Sequence, residues 1–177
     1  ISVVLLKDAE SRLGGAANVA LNIKAMGATP YLCSIVGDDE PGKNFLDALP
    51  EQGLNAKYVL KSKERRTTVK TRIMAGYQHI LRVDTEDTNE LSEKEAKTFL
   101  KMVQDALDNR AIDVILFQDY NKGVLSTNVI REVLLQAIKQ DIPTAVDPKF
   151  NNFWAYKRAT LFKPNLKEIR AQVPFAV

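Results

Sequence analysis

Short apolar segments alternate with amphipathic helical segments along most of the chain, and this alternation constrains the fold more than any other feature. From about residue 13, segments typical of buried strands alternate with helical segments. Such alternation indicates βαβ units and a parallel sheet, with right-handed crossovers that place helices on both faces. At 177 residues, 45% hydrophobic, the chain can build one such domain. The sequence therefore predicts an α/β fold with a mostly parallel sheet.

Hydrophobic periodicity and turn signals give approximate bounds for the elements. Strands are predicted over residues 1–6, 31–36, 59–60, 112–117, 143–146 and 159–162. The run 112–117, apolar except for Asp113, is predicted to be central in the sheet. Helices are predicted from residue 15 to Gly27, over 43–52, from a capping box at Ser92 and Glu95 to about 107, and over 127–140. Alternation of apolar and polar residues over 67–74, a turn at 75–78 and a second extended segment over 79–84 predict a β-hairpin over 67–84.

A glycine pair, Gly14 and Gly15, opens the first predicted helix, and Asn18 follows one turn later. Adjacent glycines leave backbone N–H groups uncovered, and the first helical turn carries unpaired donors and a partial positive charge. Asn18 both donates and accepts hydrogen bonds. These residues suit the binding of a hydroxyl-rich small molecule or a phosphate. A plain strand-to-helix turn explains the sequence of residues 13–20 equally well.

Polar residues follow four of the predicted strands. Asp38, Asp119, Asp147 and Asn165 all lie where a strand ends. In parallel α/β sheets, ligands bind outside the carboxyl ends of the strands. The predicted hairpin adds Lys70, Arg72 and Arg82 with few acids nearby, which indicates either an anion site or ordinary solvated charges on an open strand face.

Several other functions are disfavoured by the residues. The segment from Gly37 to Asn44 matches a P-loop except at its last position, but three successive acids would repel a triphosphate and Asn44 replaces the Ser or Thr that holds magnesium. A net charge of +3 without basic clusters indicates no nucleic-acid partner. No apolar run reaches membrane-spanning length, and a single Cys33 suits a reducing compartment, so we expect a cytoplasmic protein. His79, the only histidine, is expected to be a surface residue and not a catalytic base.

The spacing of Gly14, Gly15, Asn18, Gly27 and Gly37 resembles the first signature of the PfkB, or ribokinase-like, carbohydrate kinases. Within that family, residues 13–22, 67–84, 119–125, 147–149 and 163–168 are similar to the heptose-7-phosphate kinase domain of RfaE/HldE-type proteins. The resemblance implies a ribokinase-like fold in which residues 1–12 and 67–84 form a small β-lid that closes over the sugar and makes a homodimer contact. It also implies ATP and Mg²⁺ as cofactors.

The resemblance further implies roles for individual residues. Sugar or phosphate contacts are implied for Gly14, Gly15, Asn18, Lys70, Arg72, Arg82, Asp119 and Lys122. The nucleotide side is implied for Asp147, Lys149, Asn165 and Glu168, with Glu168 acting on the metal through water. Phosphorylation of D-glycero-D-manno-heptose 7-phosphate at O1, in ADP-heptose and lipopolysaccharide precursor synthesis, is the implied reaction. The alternatives are a kinase for another sugar or nucleoside, and a non-catalytic sugar-binding remnant.

Two departures from the family pattern matter. Asn121 replaces the middle glycine of Asp-Tyr-Gly-Lys-Gly, which asparagine tolerates because it also enters positive φ. The second signature, Gly-Ala-Gly-Asp, which supplies the anion hole and catalytic base, does not occur in the 177 residues. We therefore expect residues 1–177 to form a single partial kinase domain that holds no catalytic base and lacks the C-terminal nucleotide-binding part.

Overall fold

Five α-helices and seven β-strands make up residues 3–173, the part of the chain that the computed structural model describes. A short 3₁₀ turn, Phe150–Asn152, separates the last two strands. The elements, in chain order, are α1 (Gly15–Ala25), β1 (Ser34–Gly37), α2 (Glu40–Glu51), β2 (Val59–Ser62), β3 (Val69–Ala75), β4 (Gln78–Thr85), α3 (Glu93–Asn109), β5 (Ile115–Gln118), α4 (Thr127–Lys139), β6 (Thr144–Asp147), β7 (Leu161–Phe162) and α5 (Leu166–Gln172).

Parallel pairing dominates the strands, as the sequence predicts. β1 pairs with β2, and β5, β6 and β7 form a parallel set with β6 in the middle. The prediction that the run 112–117 is a central strand is wrong, because β5 lies at the edge of its set and Leu116 is 41% exposed. Apolar content showed that the strand is buried on one side, and it carried no information about its neighbours.

Two hydrophobic clusters lie on opposite faces of β2. Helices α1 and α2 pack in one cluster with Val36 and Val59, while α3 and α4 pack in the other, against which Leu60 rests. Val59 and Leu60 are consecutive in β2, and consecutive side chains of a strand point to opposite faces. The prediction of helices on both faces is therefore confirmed.

Caps fix the ends of several helices. Gly27 has φ +89 just past α1, where its N–H bonds to the carbonyl of Lys24 and the N–H of Ala28 bonds to that of Ile23, a Schellman arrangement. Ser92 caps α3 by accepting from the N–H of Glu95. The predicted capping box is only half formed there, because the Glu95 carboxylate accepts from the hydroxyl of Ser62 instead.

Several predicted boundaries are wrong. Strands β1 and β5 each begin three residues later than predicted, at Ser34 and Ile115. Residues 3–12 form no regular structure and are almost all exposed, so the predicted strand over 1–6 is absent from Val3 onward, while Ile1 and Ser2 lie outside the described residues. Helix α2 begins at Glu40, three residues before the predicted start, because Asp39 caps it and Pro41 falls in the first turn, where no N–H is needed. Pro50 is tolerated in the last turn.

The hairpin of β3 and β4 forms as predicted, with its turn at Gly76 and a register shift between Ile73 and Met74. All eight residues of β4 are exposed, so the hairpin projects from the body of the domain and neither face is covered. Within residues 3–173, no helix is both long and apolar enough to span a lipid bilayer.

Candidate active site

The glycine pair adjoins the loop that follows β5. Gly14 is the N-cap of α1. Gly15 has a φ angle of +55, a backbone conformation that residues other than glycine rarely adopt. A Cβ atom on Gly15 would lie 3.8 Å from Cε2 of Tyr120, so the Tyr120 ring lies beside the turn. Asn18 is exposed one turn into α1. The turn and the Tyr120 ring therefore border a common surface.

Asp119 organises that loop from within. Its carboxylate accepts from the N–H of Asn121 at 2.8 Å, from Nδ2 of Asn152 at 2.9 Å and from Oη of Tyr156 at 2.8 Å. Burial, together with the Asp119 charge, raises the pKa of the Tyr156 hydroxyl, which stays a donor. Asp119 is only 2% exposed, so the implied direct contact with substrate is corrected to a loop-positioning role. Asn121 does adopt positive φ, +53, as its sequence predicts.

A chain of ion pairs joins the hairpin to the same loop. Lys122 lies 2.5 Å from Glu86, which lies 3.0 Å from Lys70, and Lys70 also lies 2.7 Å from Asp84. Arg82 contacts Asp84 at 3.0 Å. The expectation of few acids near these cations is therefore wrong. Hydrogen bonds from Lys122 and then Lys70 outweigh burial and lower the pKa of Glu86.

One face of the hairpin carries the cations. Lys70 pairs with Asp84 in the strand register, and two residues further along Arg72 pairs directly with Arg82. Positions two apart in a strand share a face, so these four side chains lie on one side of the hairpin. A shallow groove of about 350 Å³ is lined by Arg72, His79, Ile80, Leu81 and Arg82. The excess of positive charge there suits an anion.

The residues implied for the nucleotide side also come together. Lys149 forms an ion pair with Glu168, and Lys163 lies 3.2 Å from Asp147 at the end of β6. Asn165 caps α5 in a full capping box, in which Glu168 accepts from the N–H of Asn165. Burial raises the pKa of Glu168, but the Lys149 and Asn165 donors outweigh it and the net shift is downward.

The ends of β5 and β6 meet at one edge of their sheet, as parallel pairing requires. Asp119 directly follows β5 and its N–H donates to the carbonyl of Asp147 in β6, at 3.4 Å. Asp38 directly follows β1 and is exposed. Asn165 lies three residues past β7. Polar groups from four elements thus border the carboxyl edges of the strands, where α/β domains bind ligands.

The P-loop-like segment leads into α2, whose first turn is capped by the side chain of Asp39. The carboxylate of Asp39 accepts from the N–H of Gly42 at 2.8 Å and from the N–H and hydroxyl of Thr67 at 2.9 and 2.6 Å. An internal carboxylate therefore occupies the N-terminus of α2. This geometry agrees with the exclusion of a P-loop from the acidic sequence.

Direct metal ligation is not supported by the donor set. Among residues 3–173, no three His, Cys, Asp or Glu side chains lie close enough together to hold a metal ion. Both oxygens of Glu168 already accept hydrogen bonds, from Lys149 and from the backbone of Asn165. Contact between Glu168 and Mg²⁺ through water remains compatible with this arrangement.

Glu86, Tyr120, Asn152 and Tyr156 were not identified from the sequence. Each acts on a partner distant in sequence, such as Lys122, which is 36 residues from Glu86, and Asp119, which is 37 residues from Tyr156. The only local signal was the position of Glu86 two residues after the predicted hairpin, which ends at Asp84. Contacts of this length leave no periodic trace in a single sequence.

The parallel α/β arrangement is that of a ribokinase-like fold, as comparison with solved structures shows. The tetrameric inhibited form of phosphofructokinase-2 from Escherichia coli superposes with a TM-score of 0.70 at 19% identity, over 95% of this chain and 57% of that one. Arabidopsis thaliana ribokinase complexed with ribose and ATP superposes with a TM-score of 0.59 at 15% identity, over 88% of this chain and 49% of that one.

The pfkB family carbohydrate kinase model matches residues 2–174, so the chain belongs to the pfkB family of carbohydrate kinases. Bifunctional protein HldE from Campylobacter curvus is 36% identical over all of this chain and 37% of its own length. HldE from Pelobacter propionicus is 39% identical over all of this chain and 36% of its own length. The chain thus spans little more than a third of these curated relatives.

Proposed function

We propose that this chain is the sugar-binding part of an ATP-dependent kinase that phosphorylates a sugar phosphate, with D-glycero-D-manno-heptose 7-phosphate as the substrate and O1 as the acceptor. The observation that carries the proposal is the excess of cations on the charged face of the hairpin, joined through Glu86 to the loop beside the glycine pair. The similarity to HldE over the whole chain supports the choice of sugar.

In this proposal, the glycine turn and Asn18 hold sugar hydroxyls. Gly15 keeps the backbone close to Tyr120, and the exposed Asn18 amide can donate to one hydroxyl and accept from another. Asp119 contributes indirectly by fixing the loop that presents Tyr120 and Lys122. The acceptor hydroxyl would thereby be held at the carboxyl edge of the sheet.

Lys70, Arg72, Arg82 and Lys122 bind the 7-phosphate in this account. A phosphate dianion makes charge-assisted hydrogen bonds with lysine and arginine that are stronger than those of a neutral hydroxyl. The exposed hairpin acts as the lid, which excludes water and so protects the transferred phosphoryl group from hydrolysis. We further propose that the exposed hairpin contacts a second copy of the chain, in a homodimer.

Lys149, Lys163, Asp147, Asn165 and Glu168 border the nucleotide. The two lysines supply positive charge toward the phosphates of ATP, while Glu168 orients Lys149 and meets Mg²⁺ through water. When bound, Mg²⁺ neutralises the charge of the transferring phosphate. We further propose that the protein works in the cytoplasm, which the single cysteine supports, and that its reaction belongs to ADP-heptose synthesis, which follows from the proposed substrate. The catalytic base comes from a Gly-Ala-Gly-Asp loop outside these 177 residues.

The reaction is tested in the protein as its gene encodes it. Heptose 7-phosphate and ATP should give heptose 1,7-bisphosphate, detected by ³¹P NMR, while unphosphorylated heptose gives at most a few per cent of that rate. Turnover of a different sugar or of a nucleoside, with none of heptose 7-phosphate, would refute the proposed substrate. Binding of the sugar phosphate without turnover would refute the kinase and favour a sugar-binding protein.

A further inference from the structure

Glu86 lies between two lysines that come from different parts of the fold. Its Oε1 accepts from Lys122 at 2.5 Å and its Oε2 accepts from Lys70 at 3.0 Å. Lys70 is on the hairpin and Lys122 is on the loop after β5. The side chains of Glu86, Lys122 and Lys70 are 21%, 26% and 35% exposed, so these pairs are more shielded than an ordinary surface ion pair.

The backbone around this carboxylate is held by other contacts. Arg65 donates to the carbonyl of Lys122 at 3.2 Å and to that of Asn89 at 2.7 Å, and the N–H of Arg66 donates to Asp87 at 2.7 Å. These hydrogen bonds hold the backbone of the loop after β5 and of the segment after β4 without any contribution from Glu86. The two lysine side chains can therefore change partner while the main chain stays in place.

A carboxylate that accepts from two lysines through separate oxygens uses the same kind of hydrogen bonds that hold a bound phosphate. Both groups present several oxygens to converging N–H donors, and both are held by charge-assisted hydrogen bonds. Lys70 lies on the hairpin face that carries Arg72 and Arg82, and Lys122 follows Tyr120, whose ring lies beside Gly15. An anion between the two lysines would therefore lie next to the proposed sugar site.

We propose that Glu86 is a specificity-determining residue that occupies the phosphate position between Lys70 and Lys122 until a ligand phosphate displaces it; this inference rests on the proposed function, because it takes the phosphorylated sugar as the ligand. A dianion attracts the two lysines more strongly than the single charge of Glu86 does. A neutral sugar cannot compete for them. The carboxylate thereby selects dianionic ligands over neutral analogues.

The test compares Glu86→Gln with the wild-type chain in isothermal titration with inorganic phosphate, heptose 7-phosphate and unphosphorylated heptose. The amide keeps the shape of the side chain but loses the competing charge. We expect the Kd for both phosphate ligands to fall about five- to tenfold, while the Kd for the neutral heptose stays unchanged. Asp105→Asn is the matched control, because it removes the same charge from the Lys57–Asp105 pair, 2.9 Å apart, and should leave all three Kd values unchanged.

Unchanged or weaker phosphate binding by a folded Glu86→Gln would overturn the inference and leave Glu86 as a structural clamp. If that variant does not fold, Glu86→Asp replaces it: the shorter side chain keeps the charge but cannot reach both lysines, and phosphate should again bind more tightly than in wild type. If heptose 7-phosphate binds to no variant while inorganic phosphate binds Glu86→Gln more tightly than wild type, the proposed function fails and the role of Glu86 stands.

Discussion

Arg72 and Arg82 lie directly opposite each other across the antiparallel hairpin. Like charges at facing positions destabilise a strand pair. Asp84 compensates Arg82 at 3.0 Å, and among the ion pairs of residues 3–173 none includes Arg72. The hairpin thus keeps an arrangement that is unfavourable for its own stability. An anionic ligand at the two guanidinium groups would relieve the repulsion.

Arg72→Ala should weaken binding of heptose 7-phosphate about tenfold and leave binding of unphosphorylated heptose unchanged. A charge-assisted hydrogen bond to phosphate is worth about 1.5–3 kcal/mol, and the neutral sugar makes no such bond here. Isothermal titration measures both affinities. Arg131→Ala on α4 is the control, because Arg131 is an exposed arginine whose ion pair is with Glu132. Equal losses for the two ligands would refute a phosphate role for Arg72.

Asp119→Asn should lower the free energy of unfolding by about 2–3 kcal/mol, because an amide nitrogen replaces one of the two buried carboxylate oxygens. Oδ1 accepts from the N–H of Asn121 and Oδ2 accepts from Asn152 and Tyr156, so the substitution leaves at least one buried donor without its acceptor. Tyr156→Phe removes one of those donors and should cost about 1–2 kcal/mol. Urea unfolding followed by circular dichroism measures both. Asp105→Asn, at an exposed position, should change stability by less than about 0.5 kcal/mol. A stable Asp119→Asn variant that no longer binds sugar would show that the carboxylate contacts the ligand after all.

Asn165→Asp separates the capping role of this residue from its proposed nucleotide role. Aspartate caps a helix as well as asparagine does, so stability should stay within about 0.5 kcal/mol, whereas Asn165→Ala should lose about 1 kcal/mol. The added negative charge should weaken ATP binding several-fold. Urea unfolding and titration with ATP measure the two properties. Full ATP affinity in Asn165→Asp would place the nucleotide phosphates away from this helix end.

Cys33 should react slowly with a disulfide reagent in the folded protein. Burial raises the pKa of its thiol to about 11, and the thiolate is the reactive form. At pH 8 only about one thiol in a thousand is then ionised, against roughly one in four for a free cysteine. The rate should rise at least tenfold in urea and climb with pH beyond 9 in the folded state. A folded-state rate equal to the unfolded one at pH 8 would contradict this.

Local signals predicted much of the fold. Ser92, Gly27 and the turn at Gly76 were identified from their chemistry, and each sits where that chemistry requires. The strand predicted at residues 1–6 failed from Val3 onward because β-branched residues indicate compatibility with a sheet and cannot supply a neighbouring strand.

The residues of the candidate site were likewise predictable from the sequence only in part. The location of the glycine turn and of the strand-end residues could be predicted, because the α/β fold class alone assigns them to the carboxyl ends of the strands. The partners of Lys70, Lys122 and Asp119 could not be predicted, because each contact joins residues that are far apart in the sequence. The Asn165 to Glu168 spacing illustrates the ambiguity: it carries a family motif and also forms a capping box.

The central claim is that the chain binds a phosphorylated sugar through the hairpin and the loop beside the glycine turn. The most direct measurement is a titration of the chain with heptose 7-phosphate and unphosphorylated heptose, followed by NMR of the backbone amides. Our account predicts at least tenfold tighter binding of the phosphorylated sugar, with shifts at Gly15, Asn18, Lys70 and Lys122. Equal affinities, or shifts confined to residues distant from these four, would contradict it.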